Sequence, residues 1–176
     1  MLPQLQIKGF TLETCVVQGG MGMGISLYPL VHAVTRKGGL GVLSSVGLDR
    51  IVSAREGKKC KTYGAVRKEI EYAQESGKPV GINVMCALVR DYIPTIKAAL
   101  DAKVGAIISG AGLPLALPTI QDPGDTALIP IVSSARALEL ICKRWEKHSY
   151  RPDAVVLDFG DRGDHRAWKM GLRPVQ

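Results

Sequence analysis

VVQGGMGMGIS, residues 16–26, begins with the end of an apolar run and continues as a glycine-rich loop. The apolar residues at 14–18 predict a buried strand, and residues 28–37 have the period of an amphipathic helix. A second apolar run at 40–44 predicts the next strand. Both runs are continuously apolar and do not alternate with polar residues, which is typical of a parallel sheet covered on both faces. This stretch therefore predicts the first strand–helix–strand unit of an α/β fold.

The same succession of apolar runs and helical periods continues along the rest of the chain. Further strands are predicted at 79–85, 104–109, 127–132 and 153–157, and further helices at 62–75, 91–102 and 135–147. A long polar loop is expected before the helix at 62–75, and an irregular segment after the strand at 104–109. Six strands are predicted in total, most of them followed by a helix.

The helix at 62–75 has a clear division between an apolar and a charged face. Its core-facing side is predicted to consist of Ala65, Ile70 and Ala73. Its exposed side is predicted to carry Arg67, Lys68, Glu69 and Glu71. This division is the one expected of a helix that covers one face of a sheet.

Polar residues and glycines follow nearly every predicted strand. They are Gln18, Gly19 and Gly20, then Asn83, then Ser109 and Gly110, then Ser133 and Ser134, and finally Asp158. Ligand groups gather at the carboxyl ends of strands in both open α/β sheets and barrels. An open sheet concentrates its ligand loops at one switch point, whereas this chain has such residues at almost every strand. The distribution favours an α/β fold of the (β/α)8 TIM-barrel type.

A complete barrel has eight strands and about 250 residues. Since six strands are predicted in 176 residues, we expect about six of the eight βα units to be present. Residues 1–158 are expected to form an incomplete barrel, and residues 159–176 a divergent, irregular tail. The chain is thus expected to stop before the seventh and eighth units.

The composition limits the classes of partner. The formal net charge is +7, yet the basic residues are scattered and aromatic residues make up only 5% of the chain. This pattern does not indicate a nucleic-acid-binding module. The longest apolar stretch, 104–118, is broken by Gly and Pro and is too short to span a bilayer. Four widely spaced cysteines match neither a zinc site nor a disulfide framework. We therefore expect a cytoplasmic protein that binds neither nucleic acid nor membrane.

The glycine-rich loop does not match a dinucleotide-binding fingerprint. Gly20, Gly22 and Gly24 alternate with methionines, so the spacing G-x-G-x-x-G is not present. The second strand ends in Ser44 and Ser45, without the acidic residue that would hold a ribose. A Rossmann-type site is therefore excluded.

Five segments together resemble the nitronate monooxygenase (2-nitropropane dioxygenase) family. They are VVQGGMGMGIS (16–26), GGLGVLSS (38–45), GINVM (81–85), ISGAGLP (108–114) and IVSSARAL (131–138). Each is weak alone, but their order and spacing agree over residues 10–158. The resemblance implies a TIM barrel that binds FMN and oxidises alkyl nitronates with dioxygen, passing electrons from substrate to flavin. It thus implies a small-molecule substrate and an FMN cofactor.

The resemblance also implies which residues of the barrel hold the cofactor. Gly19, Gly20, Met21 and Gly22 would lie along the isoalloxazine ring, since glycines allow close backbone approach to a flat ligand. Simple packing is the other interpretation of Met21. The resemblance also implies that Asn83 would lie within hydrogen-bond reach of the flavin. A functional role is favoured over packing there, because a buried amide at the end of an apolar strand must find partners.

The family's catalytic motif corresponds to residues 158–167. His165 falls at the position of the catalytic histidine, and an imidazole suits proton abstraction or nitronate binding near neutral pH. Asp158 and Gly163 match positions that contact FMN. Asp164 stands where the family has glycine, and its carboxylate would crowd the turn and repel an anionic nitronate. The alternative for His165 is a solvated residue in the tail.

Two further interpretations of the chain remain open. One is an FMN-dependent enoyl-acyl-carrier-protein reductase, a related barrel that shares the opening of the glycine loop. The other is a non-catalytic half-barrel that closes by pairing with another chain, which would make a homo-oligomer possible. An unclosed sheet leaves its first and sixth strands as edges, and such edges invite pairing.

Overall fold

The computed structural model describes residues 3–158 of the chain. Its strands are β1 Leu5–Ile7, β2 Phe10–Leu12, β3 Val42–Ser44, β4 Gly81–Met85, β5 Ala106–Gly110, β6 Ala127–Val132 and β7 Val156–Leu157. Its helices are α1 Tyr28–Arg36, α2 Leu48–Glu56, α3 Thr62–Gln74, α4 Val89–Asp101 and α5 Ala135–Glu146, with a 3₁₀ turn at Leu117–Thr119. No helix in this part of the chain is long and apolar enough to cross a membrane.

The central sheet is parallel and has the strand order β3-β4-β5-β6-β7. Outside β3 lies the predicted first strand, which the structure shows as an extended segment with a single parallel bridge between Val17 and Leu40. The amide of Gln18 donates to the Leu40 carbonyl at 2.9 Å, and the amide of Leu40 donates to the Val16 carbonyl, also at 2.9 Å. Six parallel segments therefore follow one another in chain order, which confirms the predicted fold class.

The sheet has a core on each face. Its outer face packs under the helices, through buried residues such as Leu43, Ile82, Ile107 and Leu128. Its inner face forms the second core, through Val42, Ala106, Ile108, Ala127, Ile129, Ala154 and Val156. This double burial explains why the strands are continuously apolar in sequence.

The hairpin β1–β2 was not predicted, and it closes the bottom of the inner core. The lowest inner layer is made of small residues, because Gly81, Ala106 and Ala127 stand beside one another in register. The space that these residues leave is filled by Ile7 and Leu12 of the hairpin, which are buried in the same cluster. The strands of the hairpin are only three residues long each, too short for a sequence period to reveal.

Two predictions for residues 45–75 were wrong. The expected polar loop contains α2, which lies between Gly47 and Gly57, both in the left-handed region with φ of +74° and +66°. Only Leu48 and Val52 of this helix are buried, so its apolar stripe is too narrow to detect. Glu69 was expected to be exposed on α3 but is fully buried, because α1 and α2 cover it.

The carboxyl end of β6 is followed directly by a capped helix. The Ser134 side chain accepts a hydrogen bond from the Ala137 amide at 3.3 Å, so the helix cap that a serine favours is present. On α5, Ile141 and Trp145 are buried against the sheet. The Trp145 indole donates to the Pro114 carbonyl at 2.9 Å and so holds the irregular segment after β5 in place.

Candidate functional site

A cavity of about 520 Å³ lies inside the curved sheet, toward the carboxyl ends of the strands. It is lined by Cys15, Val16, Val17, Gly19, Gly20, Met21, Val42, Asn83, Ile108, Ile131, Val156 and Leu157. Small-molecule pockets are commonly about 300–1,000 Å³ in volume and mostly apolar, with a few polar groups. The cavity has both properties, because most of its lining is aliphatic and Asn83 contributes a carboxamide.

The glycine loop at one wall of the cavity is held by Ser26, whose side chain is buried with 1% exposed. The amide of Met21 donates to Ser26 Oγ at 2.9 Å, and the amide of Ser26 donates back to the Met21 carbonyl at 3.0 Å. Gln18 Nε2 also donates to Ser26 Oγ at 2.9 Å. The loop is thus closed on itself by a reciprocal pair of hydrogen bonds.

Gln18 joins this loop to the sheet. Its Oε1 accepts a hydrogen bond from the amide of Val42 at 3.1 Å, while its Nε2 donates to Ser26 and to the carbonyl of Gly19. The backbone pairing of the first segment ends at Leu40, and the Gln18 side chain supplies the next contact, to the amide of Val42 on β3. Sequence reasoning did not assign Gln18 or Ser26 to the site. The available signal was a glutamine at the end of an apolar strand, the same signal that identified Asn83.

The three predicted glycines of the loop at 19–22 have different surroundings. A Cβ on Gly20 would lie 2.6 Å from the Cβ of Asn83 and 2.9 Å from the carbonyl oxygen of Leu43. A Cβ on Gly22 would lie 3.2 Å from the Cβ of Val46, and Gly22 does not line the cavity. A Cβ on Gly19 would meet no described atom within 4 Å. Protein packing thus accounts for the glycine at 20, whereas the Cβ position of Gly19 is open among the described atoms.

Asn83 presents its side chain to the cavity from the middle of β4. In the parallel ladder it stands between Ser44 and Ile108. Within residues 3–158 the structure shows no hydrogen-bond partner for the Asn83 carboxamide. Both its donor and its acceptor are therefore available to a molecule in the cavity. Of the predicted cofactor residues, the cavity brings together Gly19, Gly20, Met21 and Asn83.

The remaining predicted site residues are not part of this lining. Asp158 is half-buried at the end of β7, where its amide donates to the Val132 carbonyl at 2.8 Å, and it does not line the cavity. Gly163 and His165 lie outside the described residues. The proposed roles of these three residues stay predictions.

A second polar cluster lies at the carboxyl ends of β4 and β5. The Ser109 hydroxyl donates to the Val84 carbonyl at 3.1 Å and lies 3.1 Å from the Tyr92 hydroxyl and 3.4 Å from Cys86 Sγ. Burial raises the pKa of Tyr92 well above its ordinary value, so the phenol keeps its proton. Ser109 is fully buried on β5 and Tyr92 lies on α4, so their contact connects this helix to the sheet. No residue of the cluster lines the cavity.

Comparison with known proteins bears on the family and the fold of the chain. A family model described as nitronate monooxygenase matches residues 4–174, nearly the whole chain. The sequence matches none of the curated proteins at a significant level.

Several solved structures share the fold. FabK from Thermotoga maritima has 23% identity and a TM-score of 0.64, over 84% of this chain and 41% of that chain. Nitroalkane oxidase from Streptomyces ansochromogenes has 19% identity and a TM-score of 0.61, over 81% of this chain and 45% of that chain. The enoyl reductase domain of MlnA from Bacillus amyloliquefaciens has 18% identity and a TM-score of 0.57, over 84% of this chain and 39% of that chain. The chain thus spans less than half the length of each.

Proposed function

The chain belongs to the nitronate monooxygenase family, and from this we propose that it binds FMN in the cavity and oxidises alkyl nitronates with dioxygen. The observation that carries the proposal is that one apolar cavity brings together the open face of Gly19 and the carboxamide of Asn83, which has no hydrogen-bond partner within residues 3–158. A flavin ring is flat and apolar with a polar edge, so it requires a surface of this kind.

The residues present fit the ring part of the cofactor. Aliphatic side chains such as Val17, Ile108 and Ile131 would contact its faces, and Asn83 would hydrogen-bond its edge. Among the cavity-lining residues of the described part there is no Lys, no Arg and no helix amino terminus. The phosphate of FMN would therefore be held by groups other than these.

The cofactor and the residues of the site would have separate roles in the reaction. FMN, when bound, would supply the redox chemistry that moves electrons from the nitronate to dioxygen. Asn83 and the backbone at Gly19 would hold the ring in one orientation. His165 would bind the anionic nitronate, or take the proton from the α-carbon of the neutral nitroalkane that gives rise to it. The neighbouring carboxylate of Asp164 opposes anion binding, so we expect weak affinity for the nitronate.

The proposal is tested by a visible absorption spectrum of the purified, desalted protein before and after addition of FMN. We expect a flavin spectrum that persists through desalting, and uptake of dioxygen when an alkyl nitronate is added. Asn83→Leu is the matched variant, because leucine has a similar volume but no amide. A folded protein that retains no flavin at any FMN concentration would rule the proposal out.

Enoyl reduction is the second candidate function. The apolar lining of the cavity would suit an acyl chain as well as an alkyl nitronate, and one protein of similar fold is named an enoyl reductase domain. The discriminating experiment supplies NADH or NADPH with an enoyl thioester. Oxidation of the nicotinamide that depends on the thioester, without oxygen uptake on nitronates, would favour this second function.

A further inference from the structure

Glu69 is a fully buried carboxylate in the middle of α3, although Arg67 and Glu71 on the same helix are exposed. Removing a carboxylate from water is costly, and the cost is offset only where hydrogen bonds and an opposite charge are well placed. A carboxylate of this kind inside the layer of helices calls for an explanation. The proposed reaction and the cavity lining do not use it.

The contacts of Glu69 connect it to the helix that follows the glycine loop. Its Oε1 accepts a hydrogen bond from the amide of Tyr28 at 2.8 Å. Tyr28 is the first residue of α1, and the preceding Leu27 provides no side-chain cap. The free amides at the start of a helix need acceptors, and a negative charge there also interacts favourably with the helix dipole. Glu69 thus caps α1 from a neighbouring helix.

Arg55 of α2 completes the arrangement. Its Nη1 lies 2.9 Å from Glu69 Oε2. Its guanidinium carbon lies 5.5 Å from the ring centre of Tyr28 and 5.1 Å from that of Tyr72, and the two ring centres are 5.2 Å apart. Cation–π contacts of this type favour a fixed position for the guanidinium. Three helices, α1, α2 and α3, are therefore joined at the carboxylate of Glu69.

The position of Tyr28 determines where the glycine loop can lie. Only Leu27 separates it from Ser26, whose hydroxyl holds Met21 and Gln18 and whose carbonyl accepts a hydrogen bond from the Ser44 amide at 3.0 Å. The loop is thus fixed at its start by Gln18, and at its end both by Ser26 on β3 and by Tyr28 on Glu69. Loss of the Glu69 contact would loosen the end of the loop without removing any residue that lines the cavity.

We propose that Glu69 is a positioning residue for the loop at 19–27, which it holds in a binding-ready form through the amide of Tyr28. The link to flavin affinity rests on the proposed function. The effect on the loop itself does not, since the capping contact is made by protein groups alone.

The experiment compares backbone amide hydrogen exchange in the wild type, Glu69→Leu and Glu69→Gln. Leucine fills the space but cannot accept the Tyr28 hydrogen bond, whereas the glutamine carbonyl oxygen can. We expect the amides of Met21, Ile25 and Ser26 to exchange at least about fivefold faster in Glu69→Leu. In Glu69→Gln we expect their rates to stay close to those of the wild type. Ile141→Ala is the control for general destabilisation, because it creates a cavity under α5, away from the loop.

The results separate positioning from simple packing. Faster loop exchange in Glu69→Leu, rescued by glutamine and absent in Ile141→Ala, supports the proposal. Unchanged loop exchange in Glu69→Leu, or an equal rise in Ile141→Ala, overturns it. If Glu69→Leu does not fold, the test is the exchange rate of the Tyr28 amide in the wild type. This amide should be as protected from exchange as the amides in the interior of α1, and free exchange at it overturns the proposal.

Titration with FMN then tests the connection to the cofactor. We expect an at least fivefold higher dissociation constant for Glu69→Leu than for the wild type, and near wild-type binding for Glu69→Gln, on the order expected for one lost buried hydrogen bond. A loosened loop with an unchanged dissociation constant overturns the cofactor link. If the wild type binds no FMN, the proposed function fails, while the exchange rates still decide the positioning role.

Discussion

Gly20 and Asn83 pack so closely that a methyl group on Gly20 would stand 2.6 Å from the Asn83 Cβ. Gly20 lies at the start of the glycine loop and Asn83 in the middle of β4, 63 positions later in the chain. The contact brings the loop against the strand and leaves the carboxamide of Asn83 pointing into the cavity. The absence of a side chain at position 20 therefore determines the shape of the site through packing within the protein.

Gly20→Ala is expected to destabilise the protein by about 1–3 kcal/mol, the usual cost of overpacking a tight contact. Both close neighbours are hard to move, because one is a Cβ on a central strand and the other is the backbone carbonyl of Leu43. The free energy of unfolding in urea measures this change. A loss below about 0.5 kcal/mol, the range of a neutral surface substitution, would contradict it.

Gly19→Ala is the matched comparison and is expected to behave in the opposite way. No described atom lies within 4 Å of its Cβ position, and its φ is outside the left-handed region, so the folded protein should tolerate alanine within about 0.5 kcal/mol. The new methyl group would occupy the face proposed for the flavin. We expect weaker FMN binding, by fluorescence titration, with an unchanged unfolding midpoint. Equal FMN affinity in the two proteins would remove Gly19 from the site.

Asn83→Leu is expected to keep or slightly raise stability while weakening FMN binding. The carboxamide has no partner within residues 3–158, so its removal breaks no hydrogen bond of the described fold. A flavin edge facing leucine would lose its partner, at a cost of about 1–3 kcal/mol. Paired urea unfolding and FMN titration measure the two effects. Strong destabilisation with unchanged affinity would show that Asn83 is a structural residue.

The order of the elements was readable from the sequence because each inner strand is buried on both faces. The strand predicted at 127–132 has these same bounds in the structure, since Ala127–Val132 is an apolar run with polar residues at both ends. The hairpin β1–β2 was missed because its strands are short and their burial depends on the small residues of distant strands. Local periodicity contains no information about that fit.

For the site, the family resemblance pointed to Gly19, Gly20, Met21 and Asn83, and the structure places all four around one cavity. Their roles toward a cofactor stay predictions. The sequence alone could not explain why position 20 requires glycine, because Asn83 becomes its neighbour only in the assembled sheet. Glu69 was misassigned for the same reason. Its partner Arg55 lies on α2, a helix that the sequence pattern did not reveal.

Thr62→Val is expected to destabilise the protein near neutral pH but not in acid. The Thr62 hydroxyl donates to Asp91 Oδ1 at 2.8 Å and holds the pKa of that carboxyl below its ordinary value of 3.8. The stabilisation from a lowered carboxyl pKa is present above the unfolded-state pKa and disappears as the pH falls through the folded-state pKa. The difference from wild type should therefore be up to about 1 kcal/mol at pH 7 and shrink below about pH 4.

Urea unfolding at a series of pH values measures this difference. Thr119→Val is the control, because the exposed Thr119 hydroxyl donates to the Ala116 carbonyl at 2.8 Å and to no carboxylate. Its effect should not change with pH. A Thr62→Val effect of the same size at pH 3.5 and pH 7 would show that the contact with Asp91 does not depend on the charge.

His165→Asn is expected to slow the reduction of bound flavin by an alkyl nitronate without releasing FMN. Asparagine keeps a polar group of moderate size but cannot take a proton near neutral pH, which is the property that makes histidine a general base. General acid–base groups contribute about 10²–10⁴-fold to rates, so a loss of that order is expected with the neutral nitroalkane as reductant if His165 takes the proton from its α-carbon. Anaerobic stopped-flow absorbance measures the reduction rate, and fluorescence titration measures FMN affinity.

A smaller loss of the reduction rate in His165→Asn, reversed by higher nitronate concentration, would assign His165 to substrate binding. An unchanged reduction rate would exclude it from the mechanism.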